Sequence, residues 1–187
     1  MLKTILFSVF AIIAVAGVLG FTLPDRVHVE RSVRISAPPE TVFALISDFK
    51  AWDRWSPWAA LDPNAEYSFS GDGVGQKMSW RSDTREVGDG SQEITVLEAP
   101  TKMVTALDFG DMGGGFATFD VAATETGSEV KWSMDTNMRE GVPVPMKPVA
   151  TFLGFFMDGM IGGTYENGLA SLKREAEKDA ASLNAAE

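Results

Sequence analysis

From residue 5 to residue 23 the chain reads ILFSVFAIIAVAGVLGFTL, an apolar run with no charge in it. A helix of that length rises about 28 Å, close to the ~30 Å hydrocarbon core of a bilayer. A helix apolar all round must be covered on every face, and no internal partner of that kind is visible. The run predicts a membrane span, with residues 1–25 as an anchor. Beyond Pro24 the pattern becomes an alternation with one charged residue, Arg31, on its apolar side. Val27, Val29, Arg31, Val33 and Ile35 share one face, and His28, Glu30, Ser32 and Arg34 share the other, which predicts a half-buried strand over 26–35. Pro38-Pro39-Glu40 marks a helix start, after which Val42, Leu45, Ile46 and Phe49 recur at helical spacing. A second short helical or irregular stretch follows over 52–58. Its Trp52, Trp55 and Trp58 are spaced to share one side of a helix.

The next part reads as a meander. Residues 66–70 and 76–81 flank the Gly71-Asp72-Gly73 turn, and 91–98, 103–109, 116–122 and 129–138 follow between Gly-, Pro- or Asp-rich turns. Alternation puts Met78 with Trp80, Leu107 with Phe109, and Trp132 with Met134. Helical spacing returns over 149–181 through Val149, Phe152, Phe156, Met160, Ile161, Leu169 and Leu172, with a kink predicted at Gly162-Gly163. The order of elements predicts an α+β domain over 26–187, a curved antiparallel sheet of six to seven strands around a long C-terminal helix. Only that helix can cover the concave face. A cavity remains wherever sheet and helix do not touch.

Charge and composition narrow the function. The formal net charge of −10, from 26 acidic and 16 basic side chains, disfavours nucleic acid and anionic headgroups as partners of the globular part. Cysteine is absent, which removes disulfides, thiolate nucleophiles and Cys-based zinc sites. One histidine, His28, is too few for a nucleophilic triad or a His-based metal site, and no metal-ligand spacing occurs among the carboxylates. Neither a metal nor a cofactor is expected. The glycine runs at 71–75 and 113–115 lack a following helix N-terminus, so they read as turns and not as phosphate loops. At the N-terminus, Lys3 on one flank of the apolar run, and Asp25, Arg26 and Glu30 on the other, place the domain on the extracytoplasmic, periplasmic side by the positive-inside rule. A cleaved signal peptide with Ala14-Val15-Ala16 as its cleavage site is the alternative. The apolar run continues past Ala16 to Leu23, longer than such a peptide needs, and favours the anchor.

The stretch RVHVERSVRISAPPETVFALISDFKAWDRWSPWAALDP, with the A-P-P-E-x-V-F-x-L-I-S-D pattern over 37–48 and Trp52, Trp55 and Trp58, resembles the opening of the START/Bet v 1-like (SRPBCC) superfamily. Within it the chain is most similar to the bacterial polyketide cyclase/dehydrase and lipid-transport group. The Leu107-Asp108-Phe109-Gly110 stretch and the C-terminal FMDGMIGGTYENGLASLK extend the resemblance over about 26–173. It implies a helix-grip fold with an apolar cavity between sheet and long helix. It implies no catalytic residues, because the group shares no catalytic motif.

Three functions follow as expectations. The favoured one is a membrane-tethered, non-catalytic binding module for a hydrophobic or amphipathic small molecule such as a lipid, fatty acyl chain or aromatic metabolite. Its expected wall is Trp52, Trp55, Met78, Trp80, Phe109, Trp132, Met134, Phe152, Phe156 and Met160, with Trp132 and Phe156 as the central pair. The second is an enzyme of the polyketide cyclase/dehydrase type using Tyr67, Tyr165 or carboxylates. Such chemistry needs positioned polar groups, and the inferred wall is almost wholly apolar. The third is an envelope interaction module meeting a protein partner through its acidic surface, with a filled core.

Overall fold

The computed structural model describes residues 2–185, so Met1 and residues 186–187, at the outer ends of the two predicted segments, lie outside the described residues. The chain opens with α1 (Leu2–Thr22), a helix long and apolar enough to cross a membrane and almost uncovered by the rest of the chain. Next come β1 (Arg26–Ile35), α2 (Pro39–Ile46), a 3-10 turn (Phe49–Arg54) and α3 (Pro57–Leu61). Six strands follow: β2 (Glu66–Ser70), β3 (Lys77–Arg81), β4 (Gly90–Glu98), β5 (Lys102–Asp108), β6 (Gly114–Thr124) and β7 (Gly127–Asn137). The fold ends with α4 (Lys147–Gly154) and α5 (Met157–Asn184).

The seven strands form one curved antiparallel sheet in the order β1-β7-β6-β5-β4-β3-β2. The first strand therefore lies against the last, and all ten of its residues pair with β7. Directly opposed residues share a face in such a ladder. One cross-sheet row runs Arg31, Trp132, Phe119, Met103 and Leu97, and the next runs Val29, Met134, Ala117, Thr105 and Ile94. These rows form the concave face, and α2, the 3-10 turn and α5 supply the other half of the core.

Two local expectations need correction. The C-terminal helical region is broken, but at Phe155-Phe156, between α4 and α5; Gly162 and Gly163 lie inside continuous α5. Gly162 serves close approach, because a Cβ there would overlap the guanidinium of Arg31. That arginine, on the inner face of β1, donates from Nη1 to Asp158 and from Nε to Glu166, both at 2.8 Å. The tryptophans at 52, 55 and 58 also do not share one helix. Trp52 lies in the 3-10 turn, Trp55 ends it, and Trp58 belongs to α3. They converge all the same on Trp132.

The joint between α1 and the domain is specific. Arg139, just past β7, donates from Nη2 to the carbonyls of Gly20 at 2.8 Å and Leu23 at 2.6 Å, and from Nε to Thr151 Oγ1 of α4 at 2.8 Å. A cation on the free carbonyls of a helix C-terminus satisfies both their hydrogen bonding and the helix dipole. Gly20 lies so close to Pro148 of α4 that no side chain would fit between them.

Candidate functional site

Trp132 sits at the centre of the concave face. Tyr165 of α5 stacks on it with ring centroids 3.9 Å apart, and Phe119 stacks with centroids 4.8 Å apart. Trp52, Trp55 and Trp58 meet it edge-on. Gly168 of α5 allows this, since a Cβ there would fall 2.8 Å from the Trp132 ring and 2.9 Å from Pro57. The three deepest indoles differ in their polar ends. Trp52 Nε1 donates to the carbonyl of Ile46 and Trp55 Nε1 to that of Leu45, each at 2.9 Å. Among the described residues, Trp132 Nε1 is the one buried side-chain nitrogen or oxygen with no hydrogen-bond partner.

Beside this cluster lies a cavity of about 200 Å³, between the 3-10 turn and α3 on one side and the β2–β3 hairpin on the other. Its walls are Phe49, Trp52, Ala59, Tyr67, Phe69 and Met78, and its polar lining is Lys50, Asp53 and Ser56. The hairpin register explains the apolar wall: Phe69 opposes Met78 and Tyr67 opposes Trp80, so all four side chains stand on one face. The opposite wall is held from behind. Gln76 is buried, accepts from the backbone N–H of Phe49 at 3.0 Å, and donates to Asp48 at 2.7 Å. Burial alone would raise the Asp48 carboxyl. The hydrogen bonds from Lys50 N and Gln76, with the Lys50 charge, outweigh it and hold the group below its ordinary value. Burial, helped by the charge of Asp62, pushes the Tyr67 phenol up, so the hydroxyl stays protonated. The Tyr165 phenol is likewise raised by burial.

The residues expected to line a pocket fall into three groups. Trp52 and Met78 line the cavity, and Trp55, Trp132 and Met134 are buried in the core. Trp80 and Phe109 are half-buried against each other, their centroids 6.1 Å apart, with Gly90 leaving room for the Trp80 ring. Phe152 is half-buried on α4, while Phe156 and Met160 are 65% and 68% exposed. Trp132 therefore takes Tyr165, and not Phe156, as its neighbour from α5. Phe49, Phe69 and Ala59 are wall residues that the sequence reading leaves out, and Tyr67 enters it only with the enzyme alternative, although the alternation of Tyr67 and Phe69 across from Trp80 and Met78 is a signal for both.

A second depression, of about 780 Å³, lies open at the end of the sheet. Its lining is mixed, including Arg26, His28, Asp108, Phe116, Asp135 and Glu140. Here His28 Nδ1 and Asp135 Oδ1 lie 2.8 Å apart, and that hydrogen bond raises the imidazole above its ordinary value. Among the described residues no three His, Asp or Glu side chains converge as a metal ion would require.

Comparison with known proteins agrees with this architecture. The family model described as "Polyketide cyclase / dehydrase and lipid transport" matches residues 26–177. No curated protein matches the chain. Among solved structures, protein SA2116 of Staphylococcus aureus, of unknown function, superposes with a TM-score of 0.59 at 12% identity, covering 82% of this chain and 95% of that one. A protein from Thermobifida fusca gives 0.58 at 18% identity, covering 81% and 93%. The di-domain ARO/CYC StfQ from the steffimycin biosynthetic pathway gives 0.57 at 11% identity, covering 86% of this chain and 52% of that one. At such identities the likeness is one of fold.

Proposed function

The chain belongs to the polyketide cyclase/dehydrase and lipid-transport family, and from that premise we propose that it is a membrane-tethered binding module for a hydrophobic or amphipathic small molecule. The observation that carries this reading is the cavity between the 3-10 turn, α3 and the first hairpin, apolar in its walls and polar at Lys50, Asp53 and Ser56. A dry cavity of about 150 Å³ accommodates a benzene ring, so about 200 Å³ takes one ring system or a short acyl segment. Pockets that enclose a whole drug-sized molecule run from about 300 to 1,000 Å³. A full lipid would thus place one apolar segment against Trp52, Met78 and Tyr67 and leave its polar end beside Lys50 and Asp53. At about 25 cal/mol per Å² of apolar surface, burying on the order of 100–150 Å² contributes about 2.5–4 kcal/mol. That suits a ligand that exchanges, not one held permanently.

The tether is α1, and Lys3 against Asp25 at its two flanks favours the extracytoplasmic side for the domain. A bilayer-anchored cavity meets apolar ligands where they partition. The cyclase reading draws on Tyr67, whose phenol stays protonated, and on Asp53 in the same lining, and the wall is otherwise mostly apolar. Native mass spectrometry of the full chain, gently extracted in mild detergent, tests the binding reading. Uptake of one amphipathic molecule per chain from a membrane lipid extract is expected, with partial occupancy before it is added. A chain that carries none, and takes up none from a membrane lipid extract, would overturn it.

A further inference from the structure

The segment around α4 carries the domain's most apolar exposed surface. Val144, Val149, Leu153, Phe155, Phe156 and Met160 are all close to half exposed or more. Val149 and Leu153 are four residues apart on α4, as are Phe156 and Met160 at the start of α5, so each pair shares a face. Between Val142 and Met157 the only charged side chain is Lys147, in a chain whose net charge is −10. Contiguous apolar surface of this kind marks a contact with a partner or a membrane.

The opposite face of α4 is occupied. Pro148 lies on Gly20, Thr151 receives Arg139 Nε, and Gly154 fits against Val27 and Met138. These contacts set its height. Gly20 is three residues before Leu23, about 4–5 Å along the helix axis, and Ala16 and Gly17, one turn further in, are half-buried. Interfacial amphipathic helices sink their apolar face about 5–10 Å into the boundary between headgroups and acyl chains. If Leu23 marks the edge of the span, α4 stands at that depth, with its free face turned away from α1 and the sheet.

We infer that α4 and the first turn of α5 dock into the leaflet from which α1 emerges, with Leu153, Phe155, Phe156 and Met160 among the upper acyl chains. This rests on reading α1 as a membrane span. The acidic remainder of the domain suits a neutral headgroup layer, as anionic lipid would repel it. The anchor is then two-part: α1 holds the domain at the bilayer, and α4 fixes its orientation there.

The chain has no cysteine, so single-cysteine labelling is clean. Full-length I12C, L153C, F156C and T124C are each labelled with an environment-sensitive fluorophore and reconstituted in phosphatidylcholine vesicles. Thr124 is exposed at the end of β6, opposite Gly127 at the start of β7, the end of that strand far from α4. Quenching by spin-labelled lipid is compared with quenching by aqueous iodide. The expected result is several-fold stronger lipid quenching at positions 12, 153 and 156, the last two by probes near the headgroup, and iodide quenching at 124. Lipid quenching at 12 with iodide quenching at 153 and 156 overturns the docking and leaves the span. Iodide quenching at 12 overturns both. Shielding of 153 and 156 from both quenchers, with cross-linking between copies, assigns the face to a second chain and also overturns the docking.

Discussion

Tyr165 lies flat on Trp132, their centroids 3.9 Å apart and their planes 12° from parallel, so the long helix fills the centre of the concave face with a ring of its own. The open space is displaced to one side, beneath the 3-10 turn.

The indoles around that stack allow a matched comparison. Trp52→Phe and Trp55→Phe each strand a backbone carbonyl that now accepts a hydrogen bond, whereas Trp132→Phe removes a donor that has no partner. The first two should lose about 1–3 kcal/mol more stability than the third, the cost of leaving a buried acceptor without its donor. Denaturant unfolding of the three variants checks the order.

Two glycines of α5 should respond oppositely to alanine. Nothing lies within 4 Å of a Cβ at Gly163, so Gly163→Ala should stabilise by about 0.5–1 kcal/mol through helix propensity. Gly168→Ala drives a methyl into Trp132 and Pro57 and should cost about 1–3 kcal/mol by overpacking. Thermal unfolding of both variants measures the pair.

Arg139→Met removes the donor shared by Gly20, Leu23 and Thr151 while keeping the side-chain bulk. The stranded carbonyls should cost about 1–3 kcal/mol. Unfolding of the full chain in micelles should register this, and the backbone amides at the end of α1 should exchange faster.

His28 is the sole imidazole, so its titration is readable by NMR without assignment. The hydrogen bond to Asp135 raises its value above 6.5, and Asp135→Asn should bring it back toward 6.5. A raised value means that the charged pair stabilises fully below pH 6.5 and that this contribution is lost as pH rises through the folded value. Wild type should lose stability across that window relative to the variant, and by little, since both groups are solvent-exposed.

The first strand was legible to its ends because Val27, Val29, Val33 and Ile35 keep the alternation despite Arg31 on the same face, and the family pattern over 37–48 carried the architecture. The break at Phe155-Phe156 was not. Neither residue is a helix breaker, and the apolar spacing runs through them, while Gly162-Gly163 offered a kink that Arg31 turns into a close contact. Alternation put Trp132 on the concave face, but it cannot say whether that face opens onto space or onto Tyr165. The exposure of Phe156 was hidden for a related reason: helical spacing marks an apolar face without saying what covers it.

If the cavity beneath the 3-10 turn takes an apolar ligand, filling it must weaken binding. Ala59, half-buried on α3, lines the space, so Ala59→Trp should occupy it without removing a core side chain. Binding of a naphthalene fluorophore to the full chain in nanodiscs, corrected against empty nanodiscs, is measured for wild type and variant alongside their melting temperatures. Saturable one-site binding by wild type is expected, with affinity lower by about tenfold or more, about 1.4 kcal/mol, in the variant at unchanged melting temperature. Equal binding by both proteins, or no saturable binding by wild type, would contradict it.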